Sequence, residues 1–220
     1  MKILKLIIKF VIAVLMVPIA IGVTKSFYAN MILIKEVAKV LNFFLWGIVS
    51  YAILHLLFYR PTFLYVLGHE AVHAGVAWLF GGKIKSIKVS GEGGSVATDK
   101  SNVIIELSPY FIPLFTIAIS VAYFVIASSY AINGSVFMFL IGFTLAFHII
   151  STVEIMKVRQ PDIVKSGAFF SIILVYTLNI VVISVLFGLL FSSFSMKKFF
   201  LDTWSVSSKI YGIVTRQLFL

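Results

Sequence analysis

The sequence predicts an all-α polytopic membrane protein, with about six transmembrane helices and a short β-hairpin after the third. The first observation is composition: of 220 residues, 61% are hydrophobic and only 12% are charged. Soluble domains hold about 45–50% apolar and about 25% charged residues, and one soluble core of this size could not bury so much apolar surface. The second observation is that the apolar residues come in runs near the length that crosses a bilayer. We therefore expect a single integral membrane domain over residues 1–220.

Charge is the next constraint on partners and location. The chain has 18 basic and 8 acidic residues, and its basic residues lie in small groups between the apolar runs. This pattern is typical of loops beside an anionic membrane surface, not of a nucleic-acid-binding surface. We expect the lipid bilayer as a partner, no nucleic acid, and a multi-pass location in the plasma membrane of a prokaryote. The chain has no cysteine, which excludes thiolate metal ligands and a cysteine nucleophile.

The predicted transmembrane helices are joined by short polar connections. The first is interpreted as a retained span and not a cleaved signal, because no clear small-residue cleavage pattern follows it. In the fourth, Pro109 and Pro113 predict a kink. The last residues, about 192–220, mix basic and aromatic side chains and predict an amphipathic tail at the membrane interface. The six helices are predicted at about 6–23, 40–59, 62–80, 102–128, 135–157 and 167–191.

Residues 83–100 interrupt the apolar pattern. Two short β-prone pieces flank the glycine-rich segment 90–94, which predicts a β-hairpin. An exposed strand edge there could hold a peptide substrate in an extended conformation by strand addition. The hairpin lysines could instead bind anionic lipid. Both roles stay open at this point.

The third predicted span contains an H-E-x-x-H motif at residues 69–73. On a helix, His69 and His73 lie on one face, so two imidazole nitrogens can bind one zinc ion at about 2.0–2.1 Å. Glu70 lies one step round the helix, where it can take a proton from water at the metal as a general base. Ionisable side chains inside a membrane helix are costly, which favours a functional zinc site over two structural histidines.

The order of elements resembles that of the site-2-protease-like intramembrane zinc metalloproteases. Shared features are an H-E-x-x-H helix, a short β element, a further span and a later Pro-Asp, between about residues 65 and 167. The resemblance implies a catalytic core over about 62–167, with zinc held by His69, His73 and Asp162 and with Glu70 as the general base. The family pattern is typically Asn-Pro-Asp-Gly or a longer proline-rich form that ends in Asp-Gly, whereas this chain has Gln160 before the proline and Ile163 after the aspartate.

Two residues compete for the position of third zinc ligand. Basic residues flank Asp162, so it lies near the membrane surface unless Pro161 breaks the helix and turns the segment inward. His148 lies midway along the fifth predicted span, close to the depth expected for the metal. We keep Asp162 as the ligand on the resemblance. His148 is the alternative ligand, or a catalytic residue that donates a hydrogen bond in the transition state. His55, in the second span, is interpreted as structural.

These observations predict a membrane-embedded zinc-dependent metalloendopeptidase. Its substrate would be a membrane protein or peptide, cleaved within or next to the bilayer. The alternative is a non-proteolytic membrane protein that binds or transports metal, or an inactive peptidase homologue. Glu70 separates the two hypotheses, because a metal carrier does not need a general base.

Overall fold

The computed structural model describes residues 2–34, 38–58, 60–130, 133–158 and 160–219, and these residues are mostly helical. Within them, two strands form an antiparallel sheet between the third and fourth helices. The elements are α1 (Lys2–Met31), α2 (Ala38–Leu57), α3 (Thr62–Leu79), β1 (Ile84–Val89), β2 (Gly94–Thr98), α4 (Val103–Leu107), a 3-10 helix (Ser108–Tyr110), α5 (Leu114–Ala127), α6 (Gly134–Lys157), α7 (Pro161–Ser166), α8 (Ala168–Leu190) and α9 (Met196–Phe219).

The described helices bear out a multi-pass membrane protein, but with fewer spans than predicted. Among the described residues, α1, α2, α6 and α8 are long and apolar enough to cross a membrane. A fifth span results if the bent pair Val103–Tyr110 and Leu114–Ala127 counts as one. The prediction of six spans therefore exceeds the four or five candidates found among the described residues, and α3 is not among these candidates. It forms where the sequence predicts it, but His69, Glu70 and His73 lower its mean hydropathy.

The two prolines of the predicted fourth span produce a sharp break. The helical segments on either side of residues 111–113 meet at 74°. Pro113 precedes the first turn of α5, where its missing N–H leaves no helical hydrogen bond unmade, and Pro109 lies in the first turn of the 3-10 helix. The predicted kink is confirmed, and its consequence is a short α4 separated from α5.

The chain forms two compact units, of which one comprises residues 1–36 and 161–220. In this unit α9 packs along α1 in the opposite direction. The Tyr211 hydroxyl donates to the Leu15 carbonyl, and Ser207 Oγ donates to the Pro18 carbonyl over 3.2 Å. The two helices approach closely because Gly22 faces Ser207 without a side chain. The tail predicted at 192–220 is thus largely a helix packed on the first helix.

The second unit comprises residues 37–160 and contains the H-E-x-x-H motif. Its frame is the pair α2 and α6, which approach closely at two glycines. A Cβ atom at Gly47 would lie 2.0 Å from the Phe139 carbonyl oxygen, and one at Gly142 would lie 2.1 Å from the Phe44 carbonyl oxygen. Small residues at such crossings are the usual way in which membrane helices pack without a hydrophobic driving force.

A polar network also joins α2 to α6. His55 Nε2 lies 3.0 Å from Glu154 Oε2, and Nδ1 of the same ring lies 3.0 Å from the Tyr51 hydroxyl. Arg60 approaches the other oxygen of Glu154 at 3.7 Å. These contacts fit a structural role for His55, although its partners Tyr51 and Glu154 were not predicted.

The predicted hairpin is confirmed, and its base is fixed to the end of α3. Gly81 adopts φ +73°, which ends the helix in a conformation that favours glycine. The Lys83 N–H donates to Asp99 Oδ1 over 2.7 Å, and Lys100 Nζ donates to the Phe80 carbonyl over 2.8 Å. Both ends of the hairpin are thereby held at the C-terminus of α3, so its two strands extend from there.

Candidate metal centre

His69 and His73 lie one turn apart on α3 and face the same side. Their ring centroids are 4.8 Å apart with an interplanar angle of 77°, and one ring nitrogen of each lies within 4.8 Å of the other. Both side chains are half-buried. Two nitrogens on one tetrahedral zinc ion lie about 3.3 Å apart, so these rings can serve one ion with a small rotation.

The orientation of His73 is set by a backbone carbonyl. His73 Nδ1 lies 2.8 Å from the Ile105 carbonyl oxygen. Because a carbonyl only accepts, Nδ1 donates in this contact, and Nε2 is therefore the ring nitrogen that could serve as a metal ligand. Histidine ligands in metal sites usually have such a partner on the second nitrogen, which raises their basicity and fixes the ring.

The carbonyl that holds His73 belongs to a helix that is itself capped. Ile105 lies in α4, and the Asn102 side chain at the start of α4 accepts a hydrogen bond from the Ile105 N–H over 2.9 Å. Ile105 is 4% exposed and packs with Val72 and Val76 of α3. The short helix after the hairpin therefore places the Ile105 carbonyl against His73. Because every residue type has a backbone carbonyl, the sequence does not indicate this contact.

Two tyrosines pack against His69. The ring of Tyr110 lies 5.1 Å away, nearly perpendicular at 85°, and the ring of Tyr65 lies 5.7 Å away. Tyr110 is fully buried. The Tyr110 contact is edge-to-face, the Tyr65 contact is tilted at 46°, and together they limit the rotation of the His69 ring. The aromatic packing of His69 thus complements the hydrogen bond of His73, and neither tyrosine was singled out from the sequence.

Glu70 is buried, with 6% of its surface exposed, in a unit made largely of apolar helices. A carboxylate at such a position is costly unless it interacts with charge or with hydrogen-bond donors. Its neighbours include the hairpin, because strand β2 begins at Gly94 against the Glu70 side chain. The general base predicted from the motif therefore lies where α3 and the hairpin meet.

His148 lies on α6, is 8% exposed, and lines a pocket together with His69. The void of this pocket is about 320 Å³, including its open mouth. The residues that line the pocket include both histidines and Thr144 together with apolar and aromatic residues, among them Tyr65, Phe115 and Phe147. The structure thus brings the predicted catalytic His148 and the predicted ligand His69 to one cavity.

Asp162 lies in the first turn of α7, immediately after Pro161, and is half-buried. Helix α6 ends at Lys157 and α7 begins at Pro161, so the chain has a helix break just before the proline. Asp162 belongs to the unit of residues 1–36 and 161–220, whereas the two histidines belong to the unit of residues 37–160. Its part in metal binding stays a prediction.

The donor chemistry of the motif fits zinc better than the harder cations. Two imidazoles one turn apart, one of them with its second nitrogen engaged by a carbonyl, are the nitrogen ligands that zinc accepts. Calcium and magnesium prefer sites built from oxygen ligands.

No known protein family, curated protein or solved structure matches the chain. Support for a function therefore comes from the residues of the H-E-x-x-H motif and from the geometry of their surroundings.

Proposed function

We propose that this protein is a membrane-embedded zinc metallopeptidase that hydrolyses peptide bonds of membrane proteins or peptides within or next to the bilayer. The observation that carries the proposal is the arrangement of the H-E-x-x-H helix. His73 is oriented by the Ile105 carbonyl through Nδ1, His69 lies one turn before it with the two rings 4.8 Å apart, and the carboxylate of Glu70 between them in the chain is buried. A purely structural pair of histidines does not require Glu70 at this position.

Each residue then has a distinct role. His69, His73 and Asp162 would hold zinc, which supplies Lewis-acid chemistry by acidifying water and polarising the scissile carbonyl. The Glu70 carboxylate takes the proton from the attacking water and passes it to the leaving amine. His148 lies at the same pocket as His69, where its ring can donate a hydrogen bond to the carbonyl oxygen as negative charge develops.

Apolar surroundings and a water-containing pocket are both required for such a reaction. The pocket beside His69 is lined by Thr144 and His148 as well as by aromatic rings, so it offers polar contacts to water next to the motif.

A peptide bond in a helix has its carbonyl engaged in a hydrogen bond, so an extended substrate is easier to attack. The edges of strands β1 and β2 are a suitable surface for holding one.

The test compares three variants of the purified protein in detergent micelles. The probe is a mixture of synthetic single-span peptides, with new termini identified by mass spectrometry and zinc measured by elemental analysis. We expect Glu70→Gln to keep zinc and to abolish cleavage, because the amide cannot accept the proton. His69→Ala should lose both. Glu92→Gln, in the exposed hairpin turn, is the matched control and should keep both.

The outcomes separate the two hypotheses. Cleavage by Glu70→Gln at the wild-type rate would refute the peptidase mechanism. Zinc in the wild-type protein without any new peptide termini would favour the metal-binding or transport protein, or the inactive homologue.

A further inference from the structure

We infer that Gly94 is a positioning residue for Glu70, so that the hairpin is part of the catalytic apparatus. This inference rests on the proposed role of Glu70 as general base. A Cβ atom built at Gly94 would lie 2.6 Å from Glu70 Cγ and 2.9 Å from Glu70 Oε1. It would also lie 2.8 Å from the carbonyl oxygen of Lys88 on the opposite strand. All three distances are shorter than real Cβ contacts, so the carboxyl side chain occupies space that exists because residue 94 is glycine.

The length of the hairpin explains why its tip meets the motif. The hairpin is fixed at the C-terminus of α3, where Lys83 bonds Asp99 and Lys100 bonds the Phe80 carbonyl. From the end of α3 back to Glu70 is about 14 Å at about 1.5 Å per helical residue. Strand β2, from Thr98 back to Gly94, spans about 13 Å at about 3.3 Å per residue. The two lengths match, which brings the start of β2 level with Glu70.

The Lys88 carbonyl limits how a larger residue could be accommodated. A long side chain such as that of Glu70 could rotate away from a new methyl group, but it would then leave its position for proton transfer. If Glu70 stays in place, β2 has to shift, and the Lys88 carbonyl on β1 opposes that movement. Any side chain at position 94 therefore displaces the general base or distorts the hairpin, and leaves the two histidines on α3 in place.

The first experiment tests the contact without any reference to activity. The chain has no cysteine, so the double variant Glu70→Cys/Gly94→Cys has no competing thiols. Glu70 Cγ is one C–C bond, about 1.5 Å, from Cβ, so the two Cβ atoms lie at most about 4.1 Å apart, within disulfide range. With diamide as oxidant and maleimide labelling of free thiols, we expect the disulfide to form at least 10-fold faster than in Glu70→Cys/Gly91→Cys. Equal rates would overturn the inference.

The second experiment tests positioning. Gly94→Ala should keep one zinc ion per chain and an unchanged KM for the single-span peptides, while kcat falls on the order of 100-fold, as expected for a displaced catalytic group. The matched control is Gly91→Ala, in the turn that precedes β2, where an added Cβ meets no atom within 4 Å. It should match the wild-type protein in all three quantities. Wild-type kcat in Gly94→Ala would overturn the positioning role.

The two experiments also separate this inference from the proposed function. If the wild-type protein cleaves no peptide, the peptidase proposal fails, while the disulfide rates still decide whether Gly94 contacts Glu70. If Gly94→Ala does not fold, the cysteine pairs decide the inference. Loss of zinc together with activity in Gly94→Ala would show a general disturbance of the site and would overturn selective positioning of Glu70.

Discussion

Replacement of Gly47 by alanine should destabilise the unit that carries the H-E-x-x-H motif. Gly47 lies where α2 crosses α6, the helix that bears His148. An added Cβ would lie 2.0 Å from the Phe139 carbonyl oxygen and 2.7 Å from the Phe143 backbone nitrogen. These are backbone atoms of a helix, so no side-chain rotation can relieve the clash.

The size of the effect follows from these distances. Ordinary contacts begin near 3.4 Å, so α2 and α6 must separate by more than 1 Å at this point. Overpacking of a tightly packed interface costs about 1–3 kcal/mol, and the rigid backbone favours the upper end of that range. For a chain of this size, about 3 kcal/mol lowers the melting temperature by about 6–12 °C.

The assay is thermal unfolding in detergent micelles, followed by intrinsic tryptophan fluorescence. Gly212→Ala in α9 is the control, because an added Cβ there meets no atom within 4 Å. Alanine is a better helix former than glycine, so the control should be neutral or more stable by about 0.5–1 kcal/mol. Equal melting temperatures for Gly47→Ala and Gly212→Ala would refute the close approach of the two helices.

Three further variants test the metal centre and its support. Asp162→Ala should lower the zinc content of the purified protein more than His148→Ala, and the reverse would exchange their roles as third ligand. Asn102→Ala removes the cap on α4 and should loosen the carbonyl that orients His73, so zinc affinity should fall by about 10-fold or more in a competition titration with a chelator. Asn102→Asp retains an acceptor and should be close to wild type. Tyr51→Phe removes a hydrogen bond to buried His55 and should cost about 1 kcal/mol in thermal unfolding, with zinc content unchanged.

Features encoded by local sequence were predictable. Continuous apolar runs placed α2, α6 and α8 within a few residues of their observed bounds, because a bilayer-spanning helix needs about 20 such residues. The hairpin followed from glycine and β-prone residues, and the break at residues 111–113 from two prolines. The spacing of His69 and His73 on one face required only the helical repeat.

The predicted number of spans and the number of candidates among the described residues differ for a physical reason. The polar residues of the H-E-x-x-H motif lower the hydropathy of α3, so this helix is not apolar enough to count as a candidate span. A segment can be helical and buried among other helices without having the composition of a lipid-facing span. In this 18-residue helix, side chains that could bind a metal have to be polar, whereas side chains that face lipid have to be apolar.

Contacts between distant parts of the chain could not be predicted. The carbonyl of Ile105 that orients His73 is a backbone group, which any residue type would supply. Gly94 is one of several glycines in its segment, and only the folded hairpin shows which of them faces Glu70. The approach of Glu154 to His55 likewise depends on the register in which α2 and α6 pack.

The most direct test of the central claim is the number of zinc ions per chain in the purified protein, measured by elemental analysis in wild type, Glu70→Gln and His73→Ala. Zinc ligands determine occupancy, whereas a general base does not. The predicted result is one zinc ion in the wild-type protein, one in Glu70→Gln and none in His73→Ala. A wild-type protein without stoichiometric zinc, or a His73→Ala variant that retains it, would contradict the assignment of a zinc peptidase site to helix α3.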